Sequence, residues 1–168
     1  LLWRDPSGDG VKTGHTKSAG YCVVVSAERG DMRLVSAVMG TDSMRAREDA
    51  NAALLNYGYN FFETRRLFAA GQPLTSVRVW KGAEPEVALT LKRDLFVTGQ
   101  RGRMGSVQAE FELPEHLIAP LSAETALGKA RIVVEGSTIA AHDLYAVQDV
   151  PRGGVFRRAT DSVKLWFD

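Results

Sequence analysis

The chain has 168 residues, 45% of them apolar and 24% charged, with a formal net charge of +1. That is enough for one domain or two small ones, in the composition range of globular proteins. A near-neutral balance offers no strong field for nucleic acid or an anionic membrane, and no run of about 18 apolar residues is present to span a bilayer. The single cysteine, Cys22, excludes an internal disulfide and reads, within Tyr-Cys-Val-Val-Val, as a small apolar packing residue.

The sequence begins on Leu1-Leu2-Trp3, already apolar and strand-like and without methionine, which predicts that the protein's true N-terminus lies elsewhere. Residues 20 to 39 predict a β-hairpin. Tyr21 to Ala27 and Met32 to Met39 are apolar runs, and Glu28-Arg29-Gly30-Asp31 is the turn between them. Continuous rather than alternating apolar runs predict a central sheet covered on both faces. Thr41-Asp42-Ser43 supplies N-cap candidates for a helix from Met44 to about Glu63, with Ala50, Leu54, Tyr57 and Phe61 as its apolar stripe and Leu55, Gly58 and Phe62 beside them.

After Arg65-Arg66 the pattern changes. Short apolar segments (Val77–Trp80, Val87–Leu91, Val107–Leu113, Ala130–Val134 and Thr138–Val147) are separated by Gly, Pro and polar residues, which predicts a small, mainly antiparallel β domain. Beyond Pro151 the sequence turns helical, with Val163, Leu165, Trp166 and Phe167 as its apolar residues. Trp80 reads as a packing residue, and Trp166 either as packing or as part of an interfacial helix. His116 and His142 have no ligand-spaced partners, so no metal site is expected, and neither is a cofactor. The loop Gln100–Gly105 carries two arginines without flanking aromatics and reads as a solvated turn, not as a nucleic-acid contact.

The chemically informative stretch is Lys12-Thr13-Gly14-His15, set within β-like sequence. A lone Lys-Thr-Gly arises by chance in roughly 5% of chains this long, and a solvated strand is the plain reading. Its context sharpens it. The motif is followed by a short polar link, an apolar hairpin and a capped helix. The stretches "DGVKTGHTKSAGYC", "MRLVSAVMG", "RARE", "NYGYNFFET" and "RGRMGSV" together resemble the low-molecular-weight penicillin-binding proteins, the D-alanyl-D-alanine carboxypeptidases of the penicillin-binding protein 5/6 type. Lys-Thr-Gly is a motif of penicillin-binding proteins and class A β-lactamases generally.

The resemblance implies an α+β remainder of a penicillin-binding or serine β-lactamase-like domain (antiparallel sheet plus helix) over residues 1–66. A small, mainly antiparallel β domain over 67–152 follows, and then the start of a C-terminal amphipathic membrane-anchor helix over 153–168. It implies an enzyme that removes the terminal D-alanine from peptidoglycan stem peptides and binds β-lactam antibiotics. Its location would be the bacterial periplasm, peripheral on the inner membrane through the C-terminus. Lys12 would favour ionisation of the nucleophile. Thr13 would offer its hydroxyl to the substrate's terminal carboxylate, and Gly14 would let the peptide approach without a Cβ in the way. The backbone N–H of His15 would be one oxyanion donor. Arg47, at the start of the predicted helix, would lie near the bound carboxylate. Its alternative is a surface arginine, although its i+4 neighbour is Asn51 and not an acid. Arg45 has Asp49 at that spacing and reads as a surface pair.

The family's nucleophile lies in a Ser-x-x-Lys motif, and a Ser-x-Asn motif supplies a further serine. Neither occurs in this sequence. The chain alone is therefore expected to be inactive, with a companion polypeptide carrying both motifs. The competing reading is a non-catalytic cell-wall scaffold or docking module.

Overall fold

A computed structural model describes residues 5–166. Three antiparallel strands, β1 (Gly8–Thr16), β2 (Gly20–Arg29) and β3 (Met32–Thr41), form a sheet in the order β1-β2-β3. Gly30, at φ 58°, turns β2 into β3, a left-handed conformation that glycine adopts at little cost. In the β2–β3 ladder Val23 faces Val38, Val25 faces Ser36 and Ala27 faces Leu34. These inward residues meet α1 (Met44–Phe61), and Val23, Val25, Ala27, Met32, Val38, Leu55 and Tyr59 form one buried core. Ser43 caps the helix, its side chain accepting the N–H of Ala46 at 3.1 Å. Gly58 is a close-approach residue: a Cβ there would stand 2.5 Å from a methyl of Leu34.

Two expectations are corrected. The buried stripe of α1 is Arg47, Asn51, Leu55 and Tyr59, whereas Leu54, Tyr57 and Phe61 are exposed. Apolar spacing alone pointed to the wrong stripe because the stripe that packs on the sheet carries two polar residues. The sheet is also not covered on both faces among the described residues. The helix lies on one face, and the other presents Val24, Val35 and Met39, with Val35 67% and Met39 71% exposed.

Eight further strands and a helix follow: β4 (Phe62–Phe68), β5 (Thr75–Trp80), β6 (Glu86–Thr90), β7 (Leu95–Gln100), β8 (Val107–Glu112), β9 (Leu117–Ile118), β10 (Ala126–Val134), β11 (Ser137–Ala146) and α2 (Val155–Lys164). The chain divides into two compact units. Residues up to Arg66 group with Phe96–Met104, and Leu67–Leu95 groups with the chain from Gly105 onward. The segment 96–104, which the sequence reading assigned to the β domain, thus packs with the first unit. β4 and β7 form a two-stranded ribbon, with the hydroxyls of Thr64 and Thr98 2.8 Å apart. Arg101 is not merely solvated. It donates through Nη2 to the Tyr59 carbonyl at 3.0 Å and through its backbone N–H to the Phe61 carbonyl at 2.9 Å. A cation thereby satisfies the orphan carbonyls at the end of α1.

The second unit is a six-stranded sheet in the order β8-β10-β11-β6-β5-β9, with Val79, Leu89, Ile132, Leu144 and Val150 fully buried. Trp80 is buried, as its packing role requires. The sheet is antiparallel except for β5 beside β9. α2 is held by a carboxylate: Asp161 accepts the backbone N–H of Lys81 at 2.7 Å. Its apolar residues Val155, Phe156 and Val163, and Trp166 beyond it, are exposed. Phe167 lies outside the described residues.

Polar groups inside the first unit differ in how well they are satisfied. Ser36 donates its hydroxyl to Asn51 in a buried pair, while the buried Tyr59 hydroxyl has no partner among the described residues, and burial pushes its pKa up. Ser36→Ala should therefore cost about 1–3 kcal/mol by orphaning Asn51, while Tyr59→Phe should be neutral or stabilising. Urea unfolding of the two variants measures this.

The chain entering β1 is held by Asp5. Its carboxylate accepts from the side chain and backbone of Ser7 and from Arg29 at 2.9 Å, and these bonds, the Ser7 hydroxyl first, hold it below the ordinary value of 3.8. A depressed folded-state pKa adds stability above the unfolded value, and that stability is lost as pH falls through the folded value. Asp5→Asn should cost about 0.2–1 kcal/mol at pH 7. Urea midpoints taken between pH 7 and pH 2.5 should show the difference between the two proteins closing below about pH 4.

Candidate active-site wall

β1 is the edge strand of its sheet, so one side of its backbone has no strand partner among the described residues. Lys12, Thr13, Gly14 and His15 are all exposed on it. The register sets Lys12 opposite Val24, Thr13 opposite Val23, Gly14 opposite Cys22 and His15 opposite Tyr21. Thr13 and His15 consequently share the helix-side face, and Lys12 lies on the face of Val24. A Cβ at Gly14 would meet nothing within 4 Å. Nothing within the described chain requires glycine there, so any requirement comes from what approaches the edge from outside.

The far end of β2 shapes the wall. Gly20 has φ 64°, and a Cβ on it would stand 2.9 Å from the Thr41 carbonyl. The β2–β3 ladder shifts register between Tyr21 and Val23, a bulge that takes Cys22 out of regular pairing with β3. The Cys22 carbonyl instead accepts from Nη1 of Arg47 at 3.4 Å. The Ser43 cap starts α1 so that Arg47 falls in its first turn, above the bulge. Arg47 is only 8% exposed, and its Nε has no hydrogen-bond partner among the described residues. Its guanidinium carbon lies 5.9 Å from the Tyr21 ring centroid, and the Tyr21 ring lies 4.0 Å from that of His15 at 32°. Arg47, Tyr21 and His15 thus form one continuous stack. Arg45 points outward and pairs with Asp49 at 3.7 Å, as its spacing predicted.

A buried guanidinium with no acid partner among the described residues, near the positive end of a helix, leaves positive charge beside an open strand edge. The geometry suits an extended peptide bearing a carboxylate. Among the described residues no group of His, Cys, Asp and Glu is placed to hold a metal ion.

Residues 62–152 match the family description "Penicillin-binding protein 5, C-terminal domain". The chain belongs to the penicillin-binding protein 5 family. Residues 1–43, which include the β1 wall, match a second description, "D-alanyl-D-alanine carboxypeptidase". Among curated relatives, the D-alanyl-D-alanine carboxypeptidase DacA of Escherichia coli is 38% identical over 99% of this chain and 42% of its own length. The DacA of Haemophilus influenzae is 37% identical over 98% of this chain and 43% of its own length. The solved penicillin-binding protein 5 of Haemophilus influenzae superimposes with a TM-score of 0.77 at 36% identity, covering 90% of this chain and 45% of that one. The chain therefore spans under half the length of these relatives. The comparisons bear out the resemblance read from the motifs and the mainly β architecture with two helices.

The structure brings His15 and Arg47 together through Tyr21 and sets Thr13 on the same side of β1, whereas Lys12 lies on the opposite face. Sequence reasoning missed the roles of Tyr21 and of the Cys22 carbonyl. The available signal was glycine at both 20 and 40, flanking the bulge; Gly40 has φ 74°.

Proposed function

We propose that this chain forms one wall of the active site of a serine-type D-alanyl-D-alanine carboxypeptidase, which as a complete protein removes the terminal D-alanine from peptidoglycan stem peptides and is acylated by β-lactams. The observation that carries this reading is the exposed edge strand bearing Lys12, Thr13 and Gly14, beside a buried Arg47 that has no acid partner among the described residues. The nucleophilic serine and its general base belong to a companion part of the same protein carrying Ser-x-x-Lys and Ser-x-Asn. Its packing would also cover the apolar side chains of Val35, Met39, Leu54, Tyr57 and Phe61, which are exposed here.

In this mechanism the stem peptide lies along β1 as an added strand. The serine oxygen attacks the carbonyl carbon of the penultimate residue, and the carbonyl oxygen becomes an oxyanion that accepts from the backbone N–H of His15. The terminal D-alanine leaves with a proton on its amine, and water then hydrolyses the acyl-enzyme. Lys12 makes the ionised nucleophile cheaper. Thr13 donates to the terminal carboxylate. Arg47, held inward by the Cys22 carbonyl, favours that carboxylate through its field rather than through a surface fork. The relatives are bacterial carboxypeptidases, which supports a periplasmic location. The outward-facing Val155, Phe156, Val163 and Trp166 support peripheral contact with the inner membrane.

The chain of 168 residues alone should form no penicilloyl adduct, and intact mass after incubation with penicillin checks this. An adduct on any serine of the chain would overturn the assignment of the nucleophile. In the complete protein, Lys12→Ala should slow acylation severely with every acyl donor. Arg47→Ala should cost about 10-fold with a carboxylate-bearing donor, and less with an ester or amide analogue. Acylation rates with the matched donors decide. An equal loss with both donors would make Arg47 a structural residue.

A further inference from the structure

In the second unit, Arg78 and Trp80 lie on the same face of β5. The Arg78 guanidinium carbon sits 3.6 Å from the centroid of the Trp80 ring. Seated on a ring face, a guanidinium uses its π-surface and keeps its in-plane N–H fork available. Arg78 has no carboxylate partner among the described residues. Glu86, opposite it across the β5–β6 ladder, instead accepts from the Ser76 hydroxyl at 3.3 Å. The loop leading into β9 closes over this pair. His116 sets its ring at 80° to Trp80 with centroids 5.7 Å apart, and its Nδ1 is buried without a partner among the described residues. The result is a cleft of about 320 Å³, with Trp80, Leu113 and Pro114 as apolar wall and Arg78 and Glu115 as its charged groups.

We propose that this cleft binds a short peptide through its free carboxylate, with Arg78 as the carboxylate's partner. The fork of Arg78 matches a planar carboxylate in shape and charge. Apolar walls strip water from a bare inorganic anion and return nothing, but they bury the aliphatic part of a small peptide. Glu115 repels a dianion and suits the ammonium end of the same peptide. The volume lies within the range of small-ligand sites. The proposal concerns binding by the second unit and holds whether or not β1 forms a catalytic wall.

The test is a nuclear magnetic resonance titration of the 168-residue chain with the dipeptide alanyl-alanine, following the Trp80 indole N–H and the His116 ring. Saturable shifts at both, with a midpoint in roughly the millimolar range, are expected. Converting the peptide's carboxylate to an amide should weaken binding at least about 10-fold, and so should Arg78→Gln, which alters an exposed side chain and leaves the amide spectrum folded. Arg78→Lys should fall between the parent and Arg78→Gln, and Arg93→Gln, at an exposed arginine of the same unit outside this cleft, should bind as the parent does. The proposal is overturned if neither signal saturates, if the amide binds as well as the acid, or if inorganic phosphate matches the dipeptide.

Discussion

The first unit depends on how α1 lies across the inward face of β2 and β3, and that placement is fixed by close approach and by polar pairing as much as by apolar burial. Gly58 lets the helix come down onto Leu34, and the Ser36–Asn51 bond sets one helical turn against one strand position. A purely apolar stripe slides at little cost, whereas a buried hydrogen bond is satisfied in one register. Arg47 lies one turn before Asn51 on the same stripe, so the register that satisfies Asn51 also delivers Arg47 to the Cys22 carbonyl opposite the β3 bulge. The candidate wall inherits its geometry from the core.

The same packing leaves an imbalance. The helix covers one face of the three-stranded sheet, while Val24, Val35 and Met39 on the other face, and Leu54, Tyr57 and Phe61 on the helix, face outward. Isolated exposed apolar residues are ordinary, but contiguous ones mark a surface that something else covers. The chain spans only 42% of the Escherichia coli relative. The Val-Val-Val run of β2 has the composition of a strand buried on both sides, and one side of it remains uncovered among the described residues.

Much of this was legible in the sequence, and the failures have physical causes. The hairpin was readable because Gly30 sits between two β-branched runs, and the helix start because Ser43 precedes a periodic segment. The stripe of α1 was not, since periodicity ranks Leu54 and Tyr57 above Arg47 and Asn51, and only the fold shows that polar residues can win the buried side when each finds a partner. β7 was missed because Leu95–Gln100 contains one glycine and two polar residues and pairs with a distant strand. In the candidate site, Lys12 to His15 stood out as a motif. The stack through Tyr21 depends on a register shift whose one local signal is the pair of glycines at 20 and 40.

The loop at 101–107 shows how a recognisable motif can be structural in origin. "RGRMGSV" helped to identify the family, and arginines beside glycines invite a ligand-binding reading. Arg101 instead spends its guanidinium and its backbone N–H on the last carbonyls of α1. Phe62, the C-cap, is already extended and starts β4, so the helix ends without a glycine in the left-handed conformation that would otherwise turn the chain and bond those carbonyls. A cation brought from about 40 residues downstream does that work and complements the negative end of the helix. Arg101 therefore fixes the far end of the helix whose first turn carries Arg47, and its identity follows from the unsatisfied carbonyls at that end.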